Sequence, residues 1–344
     1  MGITTSRHPY RQKCCSCIKN VLELTEKEID ELTEQIEKEY PDCIVHDGIA
    51  FWGKIAAARL TIPAVSLITT FATSKKMMLH YPQISFLIAK TILAKSMHAA
   101  ITIRKFNALV KKYNVQSDGI QDVAVNKEKL NIVFTSRLIQ PLSRTFDDSF
   151  HFVGTIVRDE PNTLFILFPT LEKDKPIIYI SLGTIYNDDL HFFKTCINAF
   201  GESNFQIIMS VGQRIKKNEL PILSKNFFIK DYLPQLAVLK YASLFITHGG
   251  MNSVNESLYF GVPMIVIPEI YEQKMNAIQV KRLRAGVYLP KQKLTEESLR
   301  STVTHVLKTN RYKEQAIILQ NSLQKAGGYK KATEEILAYL QTKK

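Results

Sequence analysis

Residues 247–257 read THGGMNSVNES and gather groups suited to an anion: His248, Gly249, Gly250, Asn252, Ser253 and Glu256. The strand-like run ASLFI precedes them, and a helix-like pattern follows. Two glycines let the backbone come close to a ligand. A helix starting there turns its unbonded N–H groups and positive dipole end toward the same point. That combination suits phosphate. Asn252 and Ser253 can add side-chain hydrogen bonds to phosphate oxygens, and His248 can donate another. Glu256 lies about one turn deeper, placed to accept from two neighbouring hydroxyls such as those of a ribose. The plainer alternative is a tight strand-to-helix turn holding nothing. At the next strand end, PEIYEQ supplies Glu272 and Gln273, an acid beside an amide, which suits a polyol. DYLPQ places Tyr232 where its ring can stack on a base. Taken singly, these two read more simply as an exposed loop pair and a half-buried tyrosine. The chain has no Walker lysine motif and no G-x-G-x-x-G, which disfavours a P-loop or an ordinary dinucleotide site.

The elements that must hold these residues alternate. LELTEKEIDELTEQIEKEY reads as a helix, with Ile29, Leu32, Ile36 and Tyr40 on one stripe. Thr25 and Glu28 form a capping-box pattern at its start, and Pro41 ends it. DCIVHDGIA predicts a strand and turn, FWGKIAAARLTIP a helix, and AVSLITT a strand. Residues 74–115 predict helices with basic outer faces. LNIVFTS and FHFVGTI predict two more strands. After a proline-punctuated stretch the alternation restarts with IIYISLGT and runs through PMIVIP, and the tail from Thr295 predicts helices broken at AGGYK. Such β-α-β alternation argues for parallel sheets. The expected organisation is an α/β chain with two domains at 1–155 and 176–344, joined by a linker at 156–175, with a cleft between them.

Composition narrows the class. A chain of 344 residues with 45% apolar residues suits about two globular domains. No uninterrupted apolar run reaches transmembrane length, and the first twenty residues lack the apolar stretch of a signal peptide. Five cysteines, three of them clustered at Cys14, Cys15 and Cys17, make no zinc pattern and fit reduced thiols in a cytoplasm better than a disulfide framework. MGITTS matches the myristoylation pattern at Gly2 and Ser6, a short motif that often arises by chance. The net charge is +13, and Gly48 to Ser117 holds no acid but contains Lys54, Arg59, Lys75, Lys76, Lys90, Lys95, Arg104, Lys105, Lys111 and Lys112. Such a segment attracts anionic membrane, weakly, or nucleic acid; the bland alternative is a solvated basic face. Nothing supports nucleic acid: there is no zinc finger, RRM signature or basic zipper.

The run DYLPQLAVLKYASLFITHGGMNSVNESLYFGVPMIVIPEIYEQKMNA resembles the donor signature of the UDP-glycosyltransferases, most closely the bacterial macrolide-glycosyltransferase type. ISLGT, IIMSVG and PDCIVHDGIAFWGKIAAARLTIPAV fit the same family. The likeness runs from about Pro41 to the C-terminus. It implies the GT-B fold, with two Rossmann-like domains, the first for the acceptor and the second for a UDP-sugar. It implies a stacking role for Tyr232, nucleoside contact for Gln235 and ribose contact for Glu256. His248, Gly250, Asn252 and Ser253 would hold the diphosphate, Glu272 and Gln273 the sugar, with Gly183 and Thr184 near both. Glu269 stands where the family often has Gln. The implied chemistry is a metal-free, inverting transfer of a hexose, glucose by default, to a hydroxyl of a small hydrophobic acceptor such as a flavonoid or macrolide. No cofactor is implied, since the UDP-sugar is a co-substrate.

Asp47 matches the family's dyad aspartate. The histidine it should orient belongs on a Gly-His-x-x-Pro-like loop after an opening apolar strand, and neither is found; residues 1–20 are atypical, polar, basic and cysteine-rich. His8 lacks a preceding strand. His46 neighbours Asp47, but adjacent strand residues face opposite ways. The expectation is therefore an N-terminal domain lacking its first β-α units beside an intact donor domain. Two alternatives stand beside the active transferase: a catalytically inactive UDP-sugar-binding remnant, and a membrane-surface enzyme glycosylating a lipid.

Overall fold

A computed structural model describes residues 14–74, 96–117, 126–158, 163–172, 174–185 and 187–342. The chain divides into two compact units: residues 1–134, 142–152 and 330–344, and residues 135–141 with 153–329. The sequence-based boundaries differ from this division at the tail, because residues 330–344 group with the first unit. One reason is visible in that unit, where Glu335 of the last helix pairs with His151 at 2.9 Å.

In the first unit the described elements are α1 (Cys14–Glu39), β1 (Ile44–Asp47), α2 (Phe51–Leu60), β2 (Ala64–Ile68), α3 (Ser96–Lys112), β3 (Leu130–Val133) and β4 (Phe150–Phe152). The strands pair in parallel in the order β1-β2-β3-β4. The α1 stripe holds in part: Ile29, with Leu22, is fully buried against Phe51, Ile55 and Phe106, and Ile36 packs partly buried on the same core, but Tyr40 lies past the helix end and is 87% exposed. The start expected at Thr25 is not. The helix begins eleven residues earlier, and the buried Thr25 hydroxyl donates to the Val21 carbonyl at 2.7 Å instead of capping an end. A Ser or Thr hydroxyl can satisfy itself this way inside a helix, so the capping-box pattern was fortuitous.

Among its described residues the acid-free segment is a solvated face only in part: Arg104, Lys111 and Lys112 are exposed, while others are paired or buried. Its partners come from α1: Arg59 binds Asp30 at 2.5 Å and Lys105 binds Glu26 at 2.8 Å. Lys54 is buried on α2, where its ammonium donates to the Lys127 carbonyl at 2.7 Å. Lys75, Lys76, Lys90 and Lys95 lie outside the described residues, as do Gly2, Ser6 and His8 and the side chains of Cys14, Cys15 and Cys17. Cys43 and Cys196 are free thiols. No helix of the described residues is long and apolar enough to cross a membrane.

In the second unit α4 (Leu164–Leu167) precedes β5 (Ile177–Ser181), α5 (Leu190–Phe200), β6 (Gln206–Ser210), β7 (Phe227–Lys230), α6 (Gln235–Leu239), β8 (Leu244–Thr247), α7 (Met251–Tyr259), β9 (Met264–Val266), α8 (Tyr271–Arg282), β10 (Gly286–Tyr288), α9 (Glu296–Lys308) and α10 (Asn310–Lys325); α11 (Gly328–Gln341) closes the chain. The sheet is all parallel, ordered β10-β9-β8-β5-β6-β7. The chain winds outward from β5 to β7, returns to β8 on the other side of β5, and winds outward again to β10. Strands β5 and β8 are buried at every position, as central strands covered on both faces must be. Tyr179 and Phe245 are register partners on them, with stacked rings 4.8 Å apart. Phe192 and Phe193 of α5 and Val303 of α9 pack into the core that includes Ile178, Ile180 and Ile246. β10 escaped sequence reading because a three-residue edge strand carries too little alternation to register.

Candidate functional site

Strand order fixes where the site lies. In an open α/β sheet, ligands bind beyond the C-terminal ends of the strands where the winding reverses. Here that point falls between β5 and β8. The loop after β5 carries Gly183 and Thr184; the turn after β8 carries His248, Gly249 and Gly250.

The two glycine loops close on the imidazole of His248. A Cβ at Gly183 would stand 2.7 Å from its Cε1, and one at Gly250 would stand 2.6 Å from its Nε2. Either added carbon would displace the ring. Gly183 also has φ +76°, which favours glycine on backbone grounds alone. The His248 pKa is lowered by burial to about 4, so the ring is neutral near pH 7 and carries one N–H. Its Nδ1 lies 3.4 Å from the Thr247 hydroxyl, which also accepts from the Gly249 amide at 3.3 Å. A Thr247 hydroxyl that donates to Nδ1 puts the ring proton on Nε2, the atom beside Gly250 at the start of α7.

This histidine links stability to pH. Between about pH 4 and its ordinary pKa of about 6.5, the unfolded ring binds a proton that the folded ring refuses, so stability rises with pH in that window and is lost on acidification. From pH 7 to pH 5 the ring's share of that loss is about 2 kcal/mol. A His248→Asn variant is expected to lose that much less over the same interval, as read from urea unfolding at each pH.

Gly250 is the N-cap of α7 and supplies no side chain to the helix's first amides. The Glu272 carboxylate accepts from one of them, Met251 N–H, while burial raises its pKa. Asn276, four residues further along α8 and fully buried, donates to Glu272 at 3.0 Å and to the Gly249 carbonyl at 2.8 Å. Gln273 is also buried, and its Oε1 accepts from the amides of Glu269 and Ile270 at 2.8 and 3.2 Å. Glu272 and Gln273 are thus no exposed loop pair. They sit in the first turn of α8, with Glu272 anchored against α7.

A second cluster joins α6 to α7. Gln235 Nε2 donates to Glu256 at 2.6 Å and lies 3.3 Å from the Ser253 hydroxyl. Ser253 is buried and Asn252 exposed. Tyr232, in the loop after β7, is 73% exposed, which answers the half-buried alternative: its ring is available for stacking. Thr184 is exposed on the β5 loop. Stated contacts therefore group Gly183 and Gly250 with His248, tie Glu272 through Asn276 to Gly249, and group Gln235 with Ser253 and Glu256; Gln273 holds its own loop, and Tyr232, Asn252 and Thr184 rest on position and exposure. Sequence reading missed Asn276, although its i+4 spacing from Glu272 on a helix predicts that the two meet. It also missed Asp189 and Lys291, which come from separate loops.

Asp47 belongs to the first unit. It is exposed at the end of β1, and its carboxylate accepts from the Ile49 amide at 2.9 Å. His46 is buried on the opposite face, near Glu128 at 3.4 Å and packed against Gly53, where a Cβ would come within 2.5 Å of its own. Their side chains do not pair, as strand alternation predicts, and His46 Nδ1 lies 3.0 Å from the Asp47 backbone carbonyl instead.

A family model described as UDP-glucoronosyl and UDP-glucosyl transferase matches residues 141–326, more than half of the chain and nearly all of the second unit. The chain belongs to that family. It is 36% identical over 313 residues to the NDP-glycosyltransferase YjiC of Bacillus subtilis (strain 168), across 91% of this chain and 76% of that protein. It is 27% identical over 311 residues to the demethyllactenocin mycarosyltransferase of Streptomyces fradiae, across 90% and 66%. Among solved structures, CalG4, the calicheamicin glycosyltransferase, superposes with a TM-score of 0.76 at 26% identity, across 94% of this chain and 82% of that one. The glycotransferase of kitacinnamycin shares the fold with a TM-score of 0.84 at 24% identity, across 98% and 85%. This UDP-glycosyltransferase has the GT-B fold, and its two parallel-sheet units are the Rossmann-like domains of that fold. The β5–β8 switch point with its glycine-lined histidine lies within the matched family region.

Proposed function

We propose that this UDP-glycosyltransferase moves a hexose, glucose in the first instance, from its UDP-sugar to a hydroxyl of a small hydrophobic acceptor, without a metal and with inversion at the anomeric carbon. The observation that carries the donor half is the neutral His248 ring, held between the Gly183 and Gly250 backbones at the start of α7. In this reading the diphosphate lies at that helix start, against His248, Asn252, Ser253 and the Gly250 backbone. The ribose hydroxyls bind Glu256, which Gln235 already orients. The uracil stacks on Tyr232, and the sugar hydroxyls meet Glu272 and Gln273. The acceptor oxygen bonds to the anomeric carbon as the bond to the diphosphate oxygen breaks. The electron pair leaves with UDP, where the helix dipole and His248 offset the growing charge. The acceptor proton must pass to a base as the bond forms. By resemblance to the family Asp47 would orient a histidine in that role, and the adjacent His46, buried on the opposite face, does not fill it.

A second reading, donor binding without transfer, draws on His46, which is buried on the face opposite Asp47. The purified chain, UDP-glucose and a simple flavonol separate the two by product mass. A sugar adduct abolished by Asp47→Ala supports transfer. UDP binding without adduct supports the second reading. In either case Glu256→Ala is expected to weaken UDP binding roughly 10- to 100-fold, since it deletes charge-assisted hydrogen bonds. Unchanged affinity removes Glu256 from the site.

A further inference from the structure

Lys291 follows β10, and its ammonium sits between two carboxylates from two other loops. It meets Asp189 at 2.6 Å and also contacts Glu269. Asp189 closes the β5 loop that carries Gly183 and Thr184, and its carboxylate caps α5 by accepting from Phe192 N–H at 3.0 Å. Glu269 opens the β9 loop, and its amide is held by Gln273. One cation thus fastens three loops that leave the same edge of the sheet. Two of those loops bear the glycine against His248 and the acid–amide pair of α8.

The charges matter as much as the tie. Asp189 and Glu269 are carboxylates on the loops that leave β5 and β9, the two strands flanking β8, beyond which the proposed function puts a diphosphate. Burial opposes the charge on Asp189, yet Lys291 and the Phe192 amide outweigh it and lower its pKa. Burial likewise opposes the charge on Lys291, and the two carboxylates outweigh it and raise its pKa. Asp189 and Lys291 are thus both held in their charged forms, and the one ammonium lies between two carboxylates.

We propose that Lys291 is a positioning residue for the donor: it ties the β5 and β9 loops together and neutralises Glu269, so that those loops accept a nucleoside diphosphate sugar without repelling it. This rests on the donor-site reading above. The test is calorimetric titration of UDP-glucose into the full chain, wild type and variants, at low and high salt, with steady-state kinetics alongside. Lys291→Met is expected to weaken donor affinity about tenfold at low salt and less at high salt, which screens charge. It is expected to raise the donor KM while leaving the acceptor KM in place. Lys291→Arg keeps the charge and is expected to stay near wild type. Glu269→Gln added to Lys291→Met removes one of the two uncovered carboxylates and is expected to recover part of the loss. Wild-type affinity in Lys291→Met overturns the inference and leaves the donor site standing. So does a loss that neither salt nor Glu269→Gln relieves. A wild-type chain that binds neither UDP-glucose nor UDP overturns the donor reading, and this inference with it.

Discussion

Replacing His248 with alanine is expected to lower kcat/KM for sugar transfer by roughly 10²- to 10³-fold, the cost of deleting one preorganised donor from a site of developing charge. The ring is neutral, wedged between two glycine backbones, and presents Nε2 at the start of α7. It pays little reorganisation as charge builds on the departing diphosphate. Its low pKa adds a second signature: the ring stays neutral across the range where an ordinary histidine titrates, so the wild-type rate should show no inflection near pH 6.5 from this residue. His248→Asn keeps a donor at shorter reach and is expected to fall between wild type and alanine. Alanine at wild-type efficiency, with folding intact by circular dichroism, would remove His248 from the mechanism.

Gly249→Ala should cost about 2–5 kcal/mol of folding stability, from two separable causes. The residue has φ +83°, where an L side chain is strained. A Cβ there would stand 2.3 Å from Val266 Cγ1 on β9, so the strand-to-helix turn must shift or the core must open. Any shift moves His248 and the Asn276 anchor on the Gly249 carbonyl, so donor affinity should fall with stability. Adding Val266→Ala to Gly249→Ala makes room for the new carbon. It is expected to recover donor affinity better than stability, because it relieves the clash but leaves the backbone strain and its own lost packing. Urea unfolding and UDP titration of both variants measure the two effects. Wild-type stability in Gly249→Ala would mean that this turn adjusts without cost.

Much of the local geometry of the candidate site was legible in the linear sequence. His-Gly-Gly between an apolar run and a helix pattern marked a glycine turn at a helix start. Periodicity placed nearly every strand and helix of the second unit, because buried parallel strands read as continuous apolar runs. Alternation on β1 separated His46 from Asp47 before any coordinates. These are local properties: each is set by residues within a turn or two of one another, and chain geometry fixes their relation.

What the sequence left open joins residues distant along the chain. Strand order, not strand content, puts the β5 loop beside β8 and so sets Gly183 against His248, 65 positions apart. Asn276 was missed, and although its i+4 spacing predicts contact with Glu272, only packing of α8 beside the turn brings the Gly249 carbonyl within its reach. Lys291, Asp189 and Glu269 lie far apart along the chain, and only the sheet gathers their loops. Of the basic segment's described residues, Arg104, Lys111 and Lys112 stay exposed as expected, while α1 pairs Arg59 and Lys105, and Lys54 is buried. Sequence by itself determined the alternating elements and the chemistry available at each strand end. The tertiary structure alone decided which ends meet and which charges find partners, because both depend on the order in which strands enter the sheet.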